Sequence, residues 1–170
     1  MAMPPLSDRQ IREMLPHLQR FALWLTRNPH SAEDLVQSCL AKALGRWGGY
    51  RGEESLRAWL FAILYRQFID GERRRKRYQR ILGFFSGEEP VSESAETLAI
   101  ADDTLRQFAR LPADARALLL MVSVEGMSYQ EAATALDIPI GTVMSRLSRA
   151  RKQLHHHLEG QPSVALRRLK

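Results

Sequence analysis

Two stretches of this chain carry side chains that could bind a polyanion. Residues 141–154, GTVMSRLSRARKQL, bring Ser, Thr and Arg close together, and residues 73–80, RRRKRYQR, hold six basic residues in eight positions. An arginine can donate two hydrogen bonds to a guanine edge, and hydroxyl groups reach bases or phosphates. These residue types favour contact with nucleic acid.

The sequence offers little for other chemistry. Cys39 is the single cysteine, so the chain has no intramolecular disulfide and no cysteine cluster with metal-ligand spacing. The consecutive histidines 155–157 would point about 100° apart on a helix and so would not share one ion. No clustered His, Cys and Asp, phosphate-binding loop or paired carboxylates suggest a catalytic pocket. We therefore expect no catalytic residue, no metal, no cofactor and no small-molecule substrate.

The charge balance and the hydropathy of the chain suit a cytoplasmic protein that binds nucleic acid. The 170 residues include 25 Lys and Arg against 19 Asp and Glu, a formal net charge of +6. A basic balance suits a polyanionic partner. The first ten residues lack the apolar core of a signal peptide, and no window approaches the roughly 20 apolar residues that span a bilayer. We expect a cytoplasmic protein without a membrane segment.

The stretch at residues 141–154 is positioned by a predicted pair of helices. Ser128 and Glu131 form a capping box, so a helix is expected from Tyr129 to about Leu136, stopped before Pro139. A second helix then begins at Gly141 and Thr142. Its predicted buried stripe is Val143, Leu147, Ala150 and Leu154. The pattern is typical of a helix-turn-helix, although an amphipathic hairpin that merely closes a small core would look similar.

Three helices are predicted before this pair. The first has an apolar stripe from Ile11 to Leu25, with Pro16 either starting or kinking it. The second begins at a capping-box-like Ser31 and Asp34. Its predicted apolar stripe is Leu35, Cys39, Leu40, Ala43, Leu44 and Trp47, and Gly48 and Gly49 end it.

The third helix is apolar on every side between Trp59 and Tyr65. Such a helix must be covered all round or must offer one face to a partner. Phe61, Tyr65 and Phe68 also form an aromatic line at i, i+4 and i+7. Packing in the core and stacking on bases both remain open for these rings.

Composition divides the chain into two parts. Residues 86–103 contain six Asp and Glu, no Lys or Arg, and Pro90, which is a linker composition. Thr104–Arg110 is expected as a short helix, and Pro112 should open another that ends at Gly126. With only weak strand signals, we predict an all-α protein of two small helical domains, residues 8–80 and 103–158, joined by a flexible acidic linker, 81–102, and followed by a tail, 159–170.

Four motifs, in order, resemble the bacterial extracytoplasmic-function (ECF) sigma factors of RNA polymerase. They are AEDLVQSCLAKAL, LRAWLFAILYRQFIDGERRR, LPADARALLLMVSVEGMSYQEAATAL and IPIGTVMSRLSRARKQL. The resemblance implies a sigma region 2 that binds the polymerase clamp and captures the minus-10 element. It also implies a sigma region 4 that contacts the flap and reads the minus-35 element. An anti-sigma factor, often at the inner membrane, is a further implied partner.

The resemblance implies three sets of site residues. Core polymerase would be bound by Asp34, Leu35 and Gln37; minus-10 DNA by Tyr65, Arg66, Arg73 and Arg74; and minus-35 DNA by Thr142, Met144, Ser145, Arg146, Ser148 and Arg149. Among the last set, Met144 and Ser148 are the candidates for base preference and Arg149 for a guanine contact.

The sequence departs from the family pattern at two places. Many members have Arg-Asn where this chain has Tyr65 and Arg66, so the base preference at minus 10 does not carry over. Asp137 replaces a glycine common in the helix-turn-helix turn, and Asp tolerates left-handed backbone angles. Two alternatives to a sigma factor stay open at this point: a sigma-mimicking regulator that sequesters an anti-sigma factor, and an ordinary helix-turn-helix transcriptional regulator.

Overall fold

The computed structural model describes residues 4–53, 55–86 and 103–158, and these ranges contain helices and turns but no strand. The elements are α1 (Asp8–Thr26), α2 (Pro29–Arg46), a 3₁₀ turn (Trp47–Gly49), α3 (Leu56–Ser86), α4 (Asp103–Arg110), α5 (Ala113–Leu119) with a π-helical turn (Leu120–Val124), α6 (Tyr129–Leu136) and α7 (Ile140–Leu158). The prediction of an all-α fold is confirmed. Most of the predicted linker and the tail lie outside the described residues.

Helix α1 starts earlier than its apolar stripe suggested. Ser7 is the N-cap and forms a capping box with Gln10, so the helix begins at Asp8. Pro16 lies inside the helix and does not start it. The helix ends where Arg27 takes a left-handed conformation with φ 57°, and the Arg27 N–H donates to the Leu23 carbonyl.

The predicted cap of α2 is wrong. Asn28 is the N-cap, and its side chain accepts from the Ser31 N–H at 2.9 Å. Pro29 takes the first helical position, where its fixed φ and missing N–H carry no penalty. Ser31 therefore lies within the first turn, and Asp34 follows beyond that turn.

Helix α2 buries a narrower stripe than predicted. Its buried residues are Ala32, Val36, Cys39 and Ala43. Leu44 is 55% exposed, so its assignment to the core is wrong. Leu44 follows Ala43 by one residue, about 100° around the helix, and that turn takes it off the buried face.

Helix α3 carries the core of the N-terminal domain. Phe61 is fully buried and stacks on Phe21 of α1, with ring centroids 4.5 Å apart and planes 5° apart. Phe68 is also buried. Core packing is thus the correct reading for these two rings. The helix continues past Arg80, the predicted domain boundary, as far as Ser86.

The C-terminal domain follows its predicted pattern closely. The short helix α4 and the helix pair α6 and α7 are confirmed, as is the capping box of Ser128 and Glu131. Gly126 ends the π-helical turn with φ 67°. Pro112 is the N-cap residue of α5, one position before the expected place. The stripe Val143, Leu147, Ala150 and Leu154 is buried throughout.

The two domains pack against each other. Helix α3 contacts α6, and α1 contacts α5. Trp24 of α1 and Phe108 of α4 form an edge-to-face pair with centroids 5.3 Å apart. The second domain therefore covers part of the apolar segment of α3. This packing explains how a helix that is apolar on every side is shielded from water.

Cys39 should be unreactive in the folded protein. Its thiol is fully buried, and burial raises its pKa to about 12. Since the thiolate is the reactive form, we expect iodoacetamide at pH 8 to label the native protein far more slowly than the urea-unfolded protein. Mass spectrometry over time measures the two rates. Equal rates in both states would contradict the described burial.

Candidate nucleic-acid interface

The outer face of α7 carries most of the predicted minus-35 residues. Met144 is 50% exposed, and Ser145, Ser148 and Arg149 are also exposed, whereas Thr142 is half-buried. These side chains lie opposite the buried stripe of the same helix. A helix that is anchored on one face and polar on the other is the form that enters a DNA major groove.

Two side chains on this face, Ser145 and Arg149, hydrogen-bond to the main chain of α7 itself. The Ser145 hydroxyl donates to the Thr142 carbonyl at 3.2 Å, and Arg149 Nε lies 3.5 Å from the Ser145 carbonyl. Both bonds are to exposed main-chain oxygens, which water can replace. Arg149 can therefore leave the helix surface and extend into a groove at little cost.

Arg146 differs from its neighbours. It is half-buried, and its Nη1 lies 3.4 Å from Oδ2 of Asp114 on α5. This ion pair links α5 with α7 inside the C-terminal domain. Arg146 therefore makes a structural contact within the domain, unlike the exposed residues beside it.

The turn before α7 sets the angle of α7, the helix that carries the predicted minus-35 residues. Asp137 has φ 54° and ψ 50°, the left-handed conformation that its replacement of glycine required. The N–H of Ile138 donates to the Ala133 carbonyl at 3.0 Å. At the other end of α6, Glu131 accepts from the Ser128 N–H at 2.8 Å, and this bond lowers the pKa of the Glu131 carboxyl. Both ends of α6 are thus fixed by local bonds.

The predicted minus-10 residues all lie on α3 but differ in exposure. Arg66, Arg73 and Arg74 are exposed, while Tyr65 is half-buried. Burial raises the pKa of the Tyr65 hydroxyl, and the nearby Asp114 carboxylate raises it further. Tyr65 lies on α3, the helix that contacts α6 of the C-terminal domain.

The predicted polymerase-binding residues lie on one turn of α2. Asp34 and Gln37 are exposed and Leu35 is half-buried. The Asp34 carboxylate lies 3.8 Å from the His30 imidazole, an exposed pair that holds it only weakly. The turn offers an acidic group, an amide and an apolar side chain to a partner.

An aromatic cluster beneath the loop between α2 and α3 was missed at the sequence level. Trp47, Tyr50 and Trp59 contact one another with ring centroids 5.0–5.8 Å apart. The Trp47 indole donates to the Pro4 carbonyl at 2.7 Å, which ties the start of the chain to the cluster. The sequence signal for this cluster was the W-x-x-Y spacing of Trp47 and Tyr50 shortly before α3.

Two buried charges of the C-terminal domain were also missed. The Arg116 guanidinium donates to the carbonyls of Trp24 at 3.0 Å and Leu25 at 2.9 Å, in the last turn of α1. These are carbonyls that a helix end leaves without intrahelical partners, and a cation there also complements the helix dipole. The second, Glu125, contacts basic residues of α1 and α3. The partners in the N-terminal domain lie between 68 and 108 residues away along the chain, so local sequence patterns do not reveal them.

Family models match both halves of the chain. Residues 10–78 match sigma-70 region 2, and residues 101–154 match sigma-70 region 4. The chain is 34% identical over 161 residues to the ECF RNA polymerase sigma factor EcfG of Rhodopseudomonas palustris, covering 88% of this chain and 85% of that one.

The chain belongs to the ECF sigma factor family.

Two further relatives agree with this assignment. The ECF sigma factor SigE of Mycolicibacterium smegmatis is 30% identical, with 91% of this chain and 62% of that protein aligned. The solved structure of the sigma factor RpoE of Bartonella quintana, in complex with the anti-sigma factor NepR, superposes with a TM-score of 0.74. That alignment has 32% identity and covers 91% of this chain and 97% of RpoE. The two family models show a region 2 followed by a region 4, the order that the sequence motifs implied.

Other sites are not evident in the part of the chain that the structure describes. Those residues include no helix long and apolar enough to cross a bilayer. They also contain no group of three or more His, Cys, Asp and Glu residues suited to a metal ion.

Arg116 should matter for stability although it lies far from any DNA-reading surface. We expect Arg116→Met to lower the free energy of unfolding by roughly 2–4 kcal/mol, because buried carbonyls of α1 lose their donor. Urea denaturation followed by circular dichroism measures the change. Arg110→Met, at an exposed position in the last turn of α4, is the matched control and should change stability by less than about 0.5 kcal/mol. Equal losses in both variants would contradict the role of Arg116.

Proposed function

We propose that this protein is an alternative sigma factor that binds core RNA polymerase and directs promoter-specific initiation of transcription. Membership of the ECF sigma factor family supports this role. The observation that carries it in the structure is the pairing of two exposed polar surfaces, one on α7 and one on α3. A sigma factor needs both, since it reads two promoter elements.

The surface on α3 suits the minus-10 element. Capture of a flipped base costs a few kcal/mol of unstacking, which contacts to the base and the backbone must offset. Arg73 and Arg74 are exposed and cationic, which suits the phosphates of a melting strand. Tyr65 offers a ring for stacking, and Arg66 adds a further positive charge.

The surface on α7 suits the minus-35 element as duplex. Met144 and Ser148 are exposed beside each other on successive turns and are proposed to set the base preference. Arg149 is proposed to donate to a guanine edge in the major groove. Thr142, Ser145 and Arg146 would complete the contact, with Arg146 already oriented by Asp114.

The remaining partners are proposed from the family and from exposed residues. The α2 turn with Asp34, Leu35 and Gln37 would dock on the polymerase clamp, and region 4 would contact the flap. Because RpoE of B. quintana has been solved with the anti-sigma factor NepR, we also propose control by an anti-sigma factor. The protein would act in the cytoplasm, where polymerase and promoters are.

A sigma-mimicking regulator would have the same fold without using promoters. It would need no exposed cations on α3 and no free reading face on α7, whereas this protein has both. In vitro transcription separates the two functions. Core polymerase with this protein, free of any inhibitor, should initiate at specific sites in a genomic-fragment library. Initiation no higher than with core polymerase alone would reject the sigma role.

Arg149→Ala should reduce promoter specificity. We expect the variant holoenzyme to lose about 1–3 kcal/mol in binding to the cognate minus-35 duplex and much less on a scrambled duplex, because a base contact is removed. Arg151→Ala, at an exposed position on the same helix, is the control and should weaken both duplexes alike. Competition binding by the assembled holoenzyme measures the ratio. An unchanged ratio for Arg149→Ala would assign the guanine contact to another residue.

A further inference from the structure

The last part of α3 carries large apolar side chains that lie outside the protein core. The buried residues of this helix all lie before residue 69, and residues 69–84 are exposed or half-buried. Tyr78 is 63% exposed, Ile81 50%, Leu82 47% and Phe84 86%. At about 1.5 Å per residue, this part of the helix is about 24 Å long. Apolar side chains grouped in this way on a surface indicate a site of interaction.

Three of these side chains lie on one face of the helix. Tyr78, Ile81 and Leu82 follow at i, i+3 and i+4, which places them within about 100° of arc. Arg77 and Arg80 flank them along the chain, and long arginine stems can cover apolar surface while the guanidinium group stays in a polar environment. We call these five residues the terminal face of α3.

The charges around the terminal face are almost all of one sign. Residues 73–80 hold six Lys and Arg, and residues 73–86 hold no Asp or Glu. Glu72, just before them, pairs with Arg75 at 2.9 Å. Other cations of this run follow one another at spacings of three and four, where like charges destabilise a helix. An anionic partner would relieve this repulsion.

An anionic lipid bilayer matches the terminal face better than the alternatives do. A DNA backbone would neutralise the cations but gives the apolar side chains no apolar surface to bury. A second copy of this chain would bring equal positive charges together, and these repel. A bilayer satisfies both kinds of side chain, because apolar groups enter the acyl boundary while guanidinium groups stay beside the phosphates. Tyrosine is also common at that boundary.

We propose that the terminal face of α3 binds the surface of anionic lipid bilayers, with the end of the helix lying along the headgroups. Tyr78, Ile81 and Leu82 would enter the boundary, and Arg77 and Arg80 would pair with lipid phosphates. This binding is independent of the proposed sigma role, because it needs neither polymerase nor promoter. It is also a peripheral contact and does not require a helix that spans the bilayer.

Vesicle co-sedimentation of the full chain without polymerase tests the apolar part of the face. At about 0.15 M NaCl, we expect at least about tenfold tighter binding to phosphatidylcholine vesicles with roughly a third phosphatidylglycerol than to pure phosphatidylcholine. Ile81→Gln should weaken this binding at least about threefold, because it removes apolar contact and leaves the charge unchanged. Leu44→Gln, at a leucine of α2 that is 55% exposed, is the matched control and should bind as wild type does.

Arg77→Gln with Arg80→Gln tests the charged part. This double variant should also bind the anionic vesicles at least about threefold more weakly, since each cation near the headgroups contributes to the attraction. Thermal unfolding followed by circular dichroism checks that all variants remain folded. If Ile81→Gln binds as tightly as wild type, the vesicles merely adsorb a basic protein and the proposal is wrong. If wild type does not prefer anionic vesicles, the face belongs to another partner, such as an acidic protein. Neither result bears on the sigma role, which in vitro transcription decides separately.

Discussion

The fold depends on the need to cover the apolar segment of α3. Between Ala58 and Phe68 the buried residues include Leu60, Phe61, Ile63 and Leu64, which do not lie on one face of a helix. Helices α1 and α2 cover part of this surface, and α6 of the second domain contacts α3 as well. A region 2 domain alone would leave a face of α3 in water. Packing against the second domain is therefore part of what keeps the apolar segment of α3 out of water.

The contacts between the domains are mixed in character. Trp24 and Phe108 bury apolar surface, while Arg116 and Glu125 place charges against α1 and α3. Arg116 donates to main-chain carbonyls in the last turn of α1. Glu125 instead pairs with cationic side chains, which water can also solvate. Such an interface fixes how the two domains align, but it is less stable than a continuous hydrophobic core.

Most local features could be predicted from the sequence, with the cap of α2 as an exception, whereas the long-range contacts could not. The capping box of Ser128 and Glu131 and the left-handed Asp137 depend on neighbours within three or four residues, and both were predicted. The predicted cap at Ser31 is wrong because Asn28 followed by Pro29 is a stronger signal for the start of α2. Glu125 reads as an ordinary turn residue in VEGMS, since its partners lie 68, 105 and 108 residues away. The exposed positions of α7 were predictable because a buried stripe defines the opposite face of the helix. The packing of α3 against α6 of the second domain has no local signature.

The aromatic line of α3 shows how the burial of a position matches the type of ring found there. Phe61 and Phe68 are buried and fully apolar, and Phe61 stacks on Phe21 of α1. Tyr65 lies between them in the line, is half-buried and packs at the edge of the core. A half-buried position suits a tyrosine, because its ring covers apolar surface while its hydroxyl can reach water or another polar group. The spacing places all three rings along one side of the helix, and the burial of each position decides whether its ring can carry a polar atom.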